Sequence, residues 1–183
     1  MKRLMLLVFG LTTLSAPAYA QSDGDLIDQA LAAAPGRARE AAAVIKWNAD
    51  YTHETLKAGT NTWVCYQRSD EPRRPPFAVQ CTSTANLDRV AQNRKFRAES
   101  ADAEAERAML AAAEDDGTRV QPEYGSLFIS MNGPDQASAG IHTTIAVPGA
   151  TPESLGLPEA PGQGGAWLMD ASTSTAHIMV PGR

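Results

Sequence analysis

Two histidines in the second half of the sequence are the side chains best suited to metal chemistry. His142 and His177 each lie in a segment where aliphatic and more polar residues alternate, which is typical of strands. Imidazole binds transition metals, and the thioether of Met179, two positions after His177, would suit copper(I). If the two strands are neighbours, this metal hypothesis assigns His142, His177 and Met179 as ligands.

The alternative interpretation is that both histidines are structural and donate hydrogen bonds to backbone carbonyls. Asp170 can serve as an oxygen ligand, but two histidines without a third fixed ligand are a weak metal signal. We therefore favour structural histidines and predict no cofactor. The metal hypothesis depends on whether the two imidazoles lie close together.

The sequence contains no motif that commits it to a reaction. Ser172 and Ser174 lie near His177, but the segment is rich in serine and threonine, and no Gly-x-Ser-x-Gly motif is present. His-Glu-x-x-His, a phosphate-binding loop and a calcium loop are also absent from the sequence. We assign no catalytic residue and favour a protein that is not an enzyme.

One short segment is densely basic, with Arg94, Lys95 and Arg97 around Phe96. Such a patch could bind an acidic partner or a polyanion. Three acidic residues lie nearby in the sequence: Asp88, Glu99 and Asp102. A solvated helix face whose charges pair internally is therefore the favoured interpretation.

The two cysteines, Cys65 and Cys81, predict a disulfide. In a chain that is exported, as the N-terminal residues described next predict, two cysteines most simply form a disulfide. Zinc thiolate ligation is the alternative, but the two cysteines lack Cys-x-x-Cys spacing and no histidine lies between them.

Residues 1–20 have the pattern of a cleavable signal peptide. Lys2 and Arg3 precede an apolar stretch, and Ala18 and Ala20 are the small residues that a signal peptidase reads. A membrane anchor is the alternative, but the stretch is shorter than the roughly 20 apolar residues that span a bilayer. We predict a soluble periplasmic or secreted protein of residues 21–183, with no membrane span.

The charge of the chain argues against nucleic-acid binding. The sequence has 16 basic and 21 acidic residues, a net charge of −5. Removal of Lys2 and Arg3 with the signal leaves 14 basic residues against the 21 acidic ones, so that the net charge becomes −7. An acidic domain of this kind is unsuited to general contacts with phosphate backbones.

Hydrophobic patterns and turn residues predict the order of the elements. A helix begins at Ser22 or Asp23 and ends before Pro35. Strands are predicted at 43–47, 52–57 and 62–67, an exposed proline-rich loop at 69–77, helices at 86–98 and 101–113, and strands at 124–131, 141–147, 166–170 and 176–180. A short helix capped by Thr151 joins two of the later strands.

These elements predict a small single α+β domain. Strands cluster in two meanders on either side of the helical region, so that we expect a mainly antiparallel sheet with helices packed on one face.

Three motifs carry a family resemblance. They are Gly-Thr-Asn-x-Trp-x-Cys at 59–65, Trp-x-Met at 167–169 and Ala-His-x-Met-x-Pro at 176–181. With Cys81 and His142, they make the chain resemble a family of small, uncharacterised exported bacterial proteins from about Ala43 onward. Asp170 stands where that family has an apolar or aromatic residue, and the proline loop is longer. The resemblance implies the architecture and brings no activity.

Predicted export, a single domain with a disulfide and the lack of catalytic motifs together favour a non-enzymatic envelope protein that binds a ligand or a partner. The alternative is a metal-binding protein or metal-dependent enzyme that uses His142 and His177. The patterns identify neither the ligand nor the partner.

Overall fold

The computed structural model describes residues 22–162 and 165–181. The predicted signal peptide lies outside the described residues. A single sheet of eight strands runs through the domain in the order β2-β1-β3-β4-β5-β6-β8-β7. The strands are β1 Ala43–Trp47, β2 His53–Lys57, β3 Trp63–Gln67, β4 Phe77–Ser83, β5 Leu127–Gly133, β6 Gly140–Ala146, β7 Trp167–Met169 and β8 His177–Val180.

The helices begin where the sequence supplies caps. They are α1 Asp23–Ala30, α2 Leu87–Glu99, α3 Ala103–Asp115 and α4 Pro152–Leu155, with 3-10 turns at Leu31–Ala33 and Thr84–Asn86. Ser22 caps α1 in a capping box with Asp25, and Thr151 caps α4, as predicted. Asp102 caps α3 by accepting from two backbone N–H groups.

The α+β class with a mostly antiparallel sheet is confirmed. The prediction that the first three strands form a meander, each paired with the next one along the chain, is wrong. β1 lies between β2 and β3 and is parallel to β3. The sequence patterns also missed β4, which pairs with β3 on one side and β5 on the other. This strand joins the two groups of strands into one sheet.

Helices lie against both faces of the sheet, rather than one face as expected. On the first face, α1 and the following 3-10 turn pack on apolar side chains that include Val44, Cys65 and Val79. We call this the apolar face. On the other face, α2 packs on Ile45, Val64 and Tyr66 through Val90. We call this the charged face, because the buried arginines described below lie there.

The predicted disulfide is confirmed on the apolar face. Cys65 and Cys81 are bonded and face each other directly across β3 and β4. Both are fully buried, and Trp63, two residues before Cys65, packs against the same cluster.

The loop inside the disulfide is only partly the exposed loop that its prolines predict. Pro72 and Pro76 are exposed, but the side chain of Glu71 is only 2% exposed and turns into the charged face. Across residues 22–162 and 165–181, no helix has the length and apolar character to cross a membrane.

Candidate functional site: an arginine-lined cavity

A cavity of about 430 Å³ lies on the charged face, between α2–α3 and the sheet. Its floor is formed by side chains of β4, β5, β6 and β8, and Gln80 at its base bonds with Tyr66 and Ser130. Five of the lining residues are arginines: Arg68, Arg74, Arg89, Arg97 and Arg119. Glu106 is the carboxylate among the lining residues. The cavity is therefore strongly cationic.

The first group of arginines surrounds one buried carboxylate. Glu71 accepts two hydrogen bonds of 2.9 Å from Arg68, one of 2.9 Å from Arg94 and one of 3.3 Å from Arg74. Arg97 also donates to it. We call these five residues the Glu71 cluster. It links the loop before β4 to α2, because Arg94 and Arg97 are α2 residues.

Charge interactions between Glu71 and its arginines hold the Glu71 cluster together. Burial raises the pKa of Glu71, but hydrogen bonding to Arg68 and the charges of Arg68, Arg97 and Arg94 outweigh burial and lower this pKa to about 2. Glu106 extends the cluster by accepting at 2.8 Å from Arg97 and at 2.9 Å from Arg73. Here each guanidinium has a carboxylate partner.

The second group is Arg89 and Arg119, which we call the Arg89–Arg119 pair. Both residues are buried, with 4% and 6% exposure. Arg89 donates to the Val120 carbonyl and the hydroxyls of Ser174 and Thr175, and Arg119 donates to the side-chain oxygens of Gln92 and Asn93. All these acceptors are neutral. The Nε of Arg119 is buried and has no hydrogen-bond partner among the described residues.

The pair carries charge that its surroundings do not balance. Burial and the charge of Arg119 lower the pKa of Arg89 to about 10, and burial lowers the pKa of Arg119. Glu114 opposes both shifts, but it accepts from Ser174 rather than from either guanidinium. In the part of the chain that the structure describes, neither of these two like charges has a carboxylate as a hydrogen-bond partner.

The two hydrogen-bonded groups around the cavity together have an excess of positive charge. They contain seven arginines (Arg68, Arg73, Arg74, Arg89, Arg94, Arg97 and Arg119) and four carboxylates (Asp70, Glu71, Glu106 and Glu114). Three positive charges remain in excess, although the whole chain carries −5. Such a local field attracts anions.

The rest of the cavity wall is partly apolar. Leu110 of α3, Phe128 of β5 and Pro122 line it together with Ala146 and Ala176, and the other lining residues are polar: Gln80, Asn93, Thr144, Thr175 and His177. Apolar groups beside a charge lower the local dielectric constant, and this strengthens charge interactions there. The arrangement can hold a molecule that has both an anionic and an apolar part.

The structure brings the two predicted histidines to one face but not to one site. β6 and β8 are neighbours, and His177 lies opposite Ala146, which is four positions from His142. Four strand positions span about 13 Å, and side chains stand roughly perpendicular to a sheet, so the two imidazoles cannot bind the same ion in this fold. Met179 lies opposite Thr144, between them. Within the described residues, no group of three His, Cys, Asp or Glu side chains could hold a metal.

His177 has the structural contact that the alternative interpretation predicts. Its Nδ1 is 2.8 Å from the carbonyl oxygen of Thr175, to which an Nδ1–H can donate. Asp170 is 3.8 Å from the same nitrogen. Ser174 donates to Glu114 instead of to His177, so these residues do not form a serine hydrolase triad. His142 is exposed.

The basic patch around Phe96 matches the predicted solvated, internally paired helix face only at Lys95, which is exposed and lies 3.9 Å from Glu99. The prediction is wrong for the two arginines. Arg94 is 8% exposed and is bound by Glu71 and Asp70 of a loop, and Arg97 is bound by Glu71 and by Glu106 of α3.

Sequence reasoning missed Arg68, Arg89 and Arg119 as site residues, because no short motif contains them. The spacing of Arg89, Asn93 and Arg97 along α2 was an available signal, since residues four apart lie on one helix face. This spacing identifies one wall of the cavity.

Comparisons with protein families, with curated proteins and with solved structures find no match for this chain. The cavity is therefore the feature from which a function can be inferred.

Proposed function

We propose that this chain is an exported, non-enzymatic binding protein that holds a small anion in the arginine-lined cavity. One observation carries the proposal: Arg89 and Arg119 are both buried in the cavity wall, and among the described residues they donate only to neutral acceptors. The signal-like N-terminus and the disulfide support export, because disulfides persist in oxidising compartments.

Buried charge without a counterion is unfavourable, so the pair needs an explanation. Taking a charge out of water costs several kcal/mol unless an opposite charge or a full set of hydrogen bonds compensates it. Glu71 supplies that compensation for its own arginines. A bound anion would supply it for Arg89 and Arg119, and guanidinium groups are well suited to carboxylates and phosphates.

The chemistry of the lining favours binding over catalysis. A guanidinium stays protonated at neutral pH and does not act as an acid or a base. His177 lines the cavity and could transfer protons, but its Nδ1 contacts the Thr175 carbonyl and Ser174 does not hydrogen-bond to it. Metal binding by His142 and His177 together is disfavoured by their separation along the sheet.

Titration calorimetry with three naphthalene derivatives tests this proposal. The probes are 1-naphthyl phosphate, naphthalene-1-sulfonate and neutral 1-naphthol. We expect at least one of the two anions to bind and the neutral probe to bind much more weakly. Arg89→Met and Arg119→Met should each weaken the binding of that anion at least tenfold, which is about 1.4 kcal/mol.

The matched control is Arg107→Met, since Arg107 is an exposed arginine of α3 that does not line this cavity. It should leave binding unchanged, and thermal midpoints of all variants show whether they remain folded. If neither anion binds, or if binding is the same in Arg89→Met and in the wild type, the proposed function is wrong.

A further inference from the structure

The charge of the cavity indicates the valence of its ligand. The groups around the cavity have three positive charges in excess, and among the described residues Arg89 and Arg119 donate to no carboxylate. A monocarboxylate would compensate one of the three excess charges. A phosphate monoester carries a charge of about −1.5 to −2 at neutral pH and would compensate about two of them.

The free donors of the pair also suit phosphate. A guanidinium has five N–H groups. Arg89 directs donors to three fixed acceptors and Arg119 to two, and the Arg119 Nε is unpartnered in the described structure. Several N–H groups of these two cavity-lining guanidiniums therefore have no acceptor among the described residues. A phosphate monoester presents three strong acceptor oxygens, whereas a carboxylate presents two.

The size and the wall of the cavity indicate that the ligand has an organic part. A volume of about 430 Å³ is within the range of sites for small organic molecules, roughly 300–1,000 Å³. It is far larger than one inorganic ion, given that a water molecule occupies about 30 Å³. Phe128, Leu110 and Pro122 give the lining an apolar part.

We infer that the ligand is a phosphate monoester of an apolar or aromatic alcohol, with its phosphate at the Arg89–Arg119 pair and its organic part against Phe128 and Leu110. This inference rests on the proposed function and names the ligand class of the same site. Arg89 and Arg119 are then the residues that determine specificity for a dianion, while the Glu71 cluster holds the wall in place.

Two of the three naphthalene probes separate the effect of the ligand's charge from the effect of its shape. 1-Naphthyl phosphate and naphthalene-1-sulfonate share a ring system, but at pH 8 the phosphate is a dianion and the sulfonate a monoanion. We expect the phosphate to bind about tenfold or more tightly, because the second charge meets uncompensated cations in an apolar surrounding. At pH 5, where the phosphate monoester is mostly a monoanion, this advantage should shrink to within about threefold.

Methyl phosphate and Phe128→Ala test the organic part. Methyl phosphate should bind the wild type at least tenfold more weakly than naphthyl phosphate does, and Phe128→Ala should reduce that difference. Arg89→Met and Arg119→Met should remove the preference for phosphate over sulfonate, and Arg107→Met should retain it.

The outcomes distinguish the two proposals. If sulfonate binds as tightly as phosphate, and Arg89→Met weakens both, the ligand class is wrong and anion binding stands. Equal binding of methyl and naphthyl phosphate also contradicts the ligand class. If neither naphthyl anion binds, both proposals are wrong.

Discussion

The two faces of the sheet are stabilised in different ways. On the apolar face, α1 covers small and aliphatic side chains and the Cys65–Cys81 bridge. On the charged face, α2 and α3 cover arginines, carboxylates and a cavity. Apolar side chains are stabilised by burial against one another and need no hydrogen-bond partner. A buried charge, by contrast, needs an opposite charge or hydrogen bonds at its own position.

Under the proposed function, this difference should separate stability from binding. In the Glu71 cluster four guanidiniums donate to one buried carboxylate, and the apolar face consists of apolar side chains and the bridge. Among the described residues, Arg89 and Arg119 donate to neutral groups and to no carboxylate. We therefore expect substitutions in the Glu71 cluster or the bridge to destabilise the protein and substitutions of the Arg89–Arg119 pair to affect binding.

The largest expected effect is that of Glu71→Gln. The change leaves four arginines, two of them almost fully buried, without their central anion, and breaking a buried ion pair costs about 3–5 kcal/mol. Urea unfolding at pH 7 measures the loss. The control is Glu54→Gln, which removes an ion pair with Lys46 whose side chains are about half exposed, and should cost about 0–1 kcal/mol. Equal losses in the two variants would contradict the central role of Glu71.

Removal of the disulfide should destabilise the apolar face and leave the cavity intact. The double variant Cys65→Ala, Cys81→Ala frees a loop of about 15 residues and should lower the free energy of unfolding by about 3 kcal/mol. Anion binding at 10 °C, measured by calorimetry, should match that of the wild type. Two results together would show that no bridge forms. The thermal midpoint of the wild type would be the same with and without dithiothreitol and equal to that of the double variant, and thiol titration would find both cysteines reactive.

Acid should destabilise the protein through the charged face. The pKa of Glu71 is about 2 in the folded protein, below its ordinary value of 4.5. A carboxyl whose pKa is lowered by folding stabilises the fold above the ordinary pKa, and this stabilisation is lost as pH falls towards 2. The difference in free energy of unfolding between the wild type and Glu71→Gln should therefore shrink from pH 5 to pH 2. A constant difference over this range would contradict the lowered pKa.

The smallest expected change in stability is that of Arg89→Met. Because burial and Arg119 lower the pKa of Arg89, the folded protein disfavours its charge, and an apolar side chain should leave the thermal midpoint unchanged or raise it. Arg94→Met is the contrasting variant, since Arg94 bonds Glu71 and lies 5.4 Å from the ring of Trp47. It should lower the midpoint by several degrees. If Arg89→Met destabilises as much as Arg94→Met, the pair is structural.

Most elements of the fold followed from local patterns, and β4 shows why one did not. Phe77, Val79 and Cys81 alternate with Ala78, Gln80 and Thr82, which is a strand pattern, but the segment directly follows a proline-rich stretch that predicts a loop. The parallel pairing of β1 with β3 was also missed, since a hairpin pattern is the local expectation for consecutive strands.

The sequence by itself determines the helices and strands through caps and strand periodicity, because these elements depend on residues that are neighbours in the chain. It also determines the bridge, because each of the two cysteines has only the other as a possible partner. The site was decided by tertiary structure alone. Glu71 comes from a loop, Arg89 from α2, and Arg119 from the segment after α3. Whether an arginine has a counterion depends on which distant segments meet it after folding, and residue spacing in the sequence does not record those contacts.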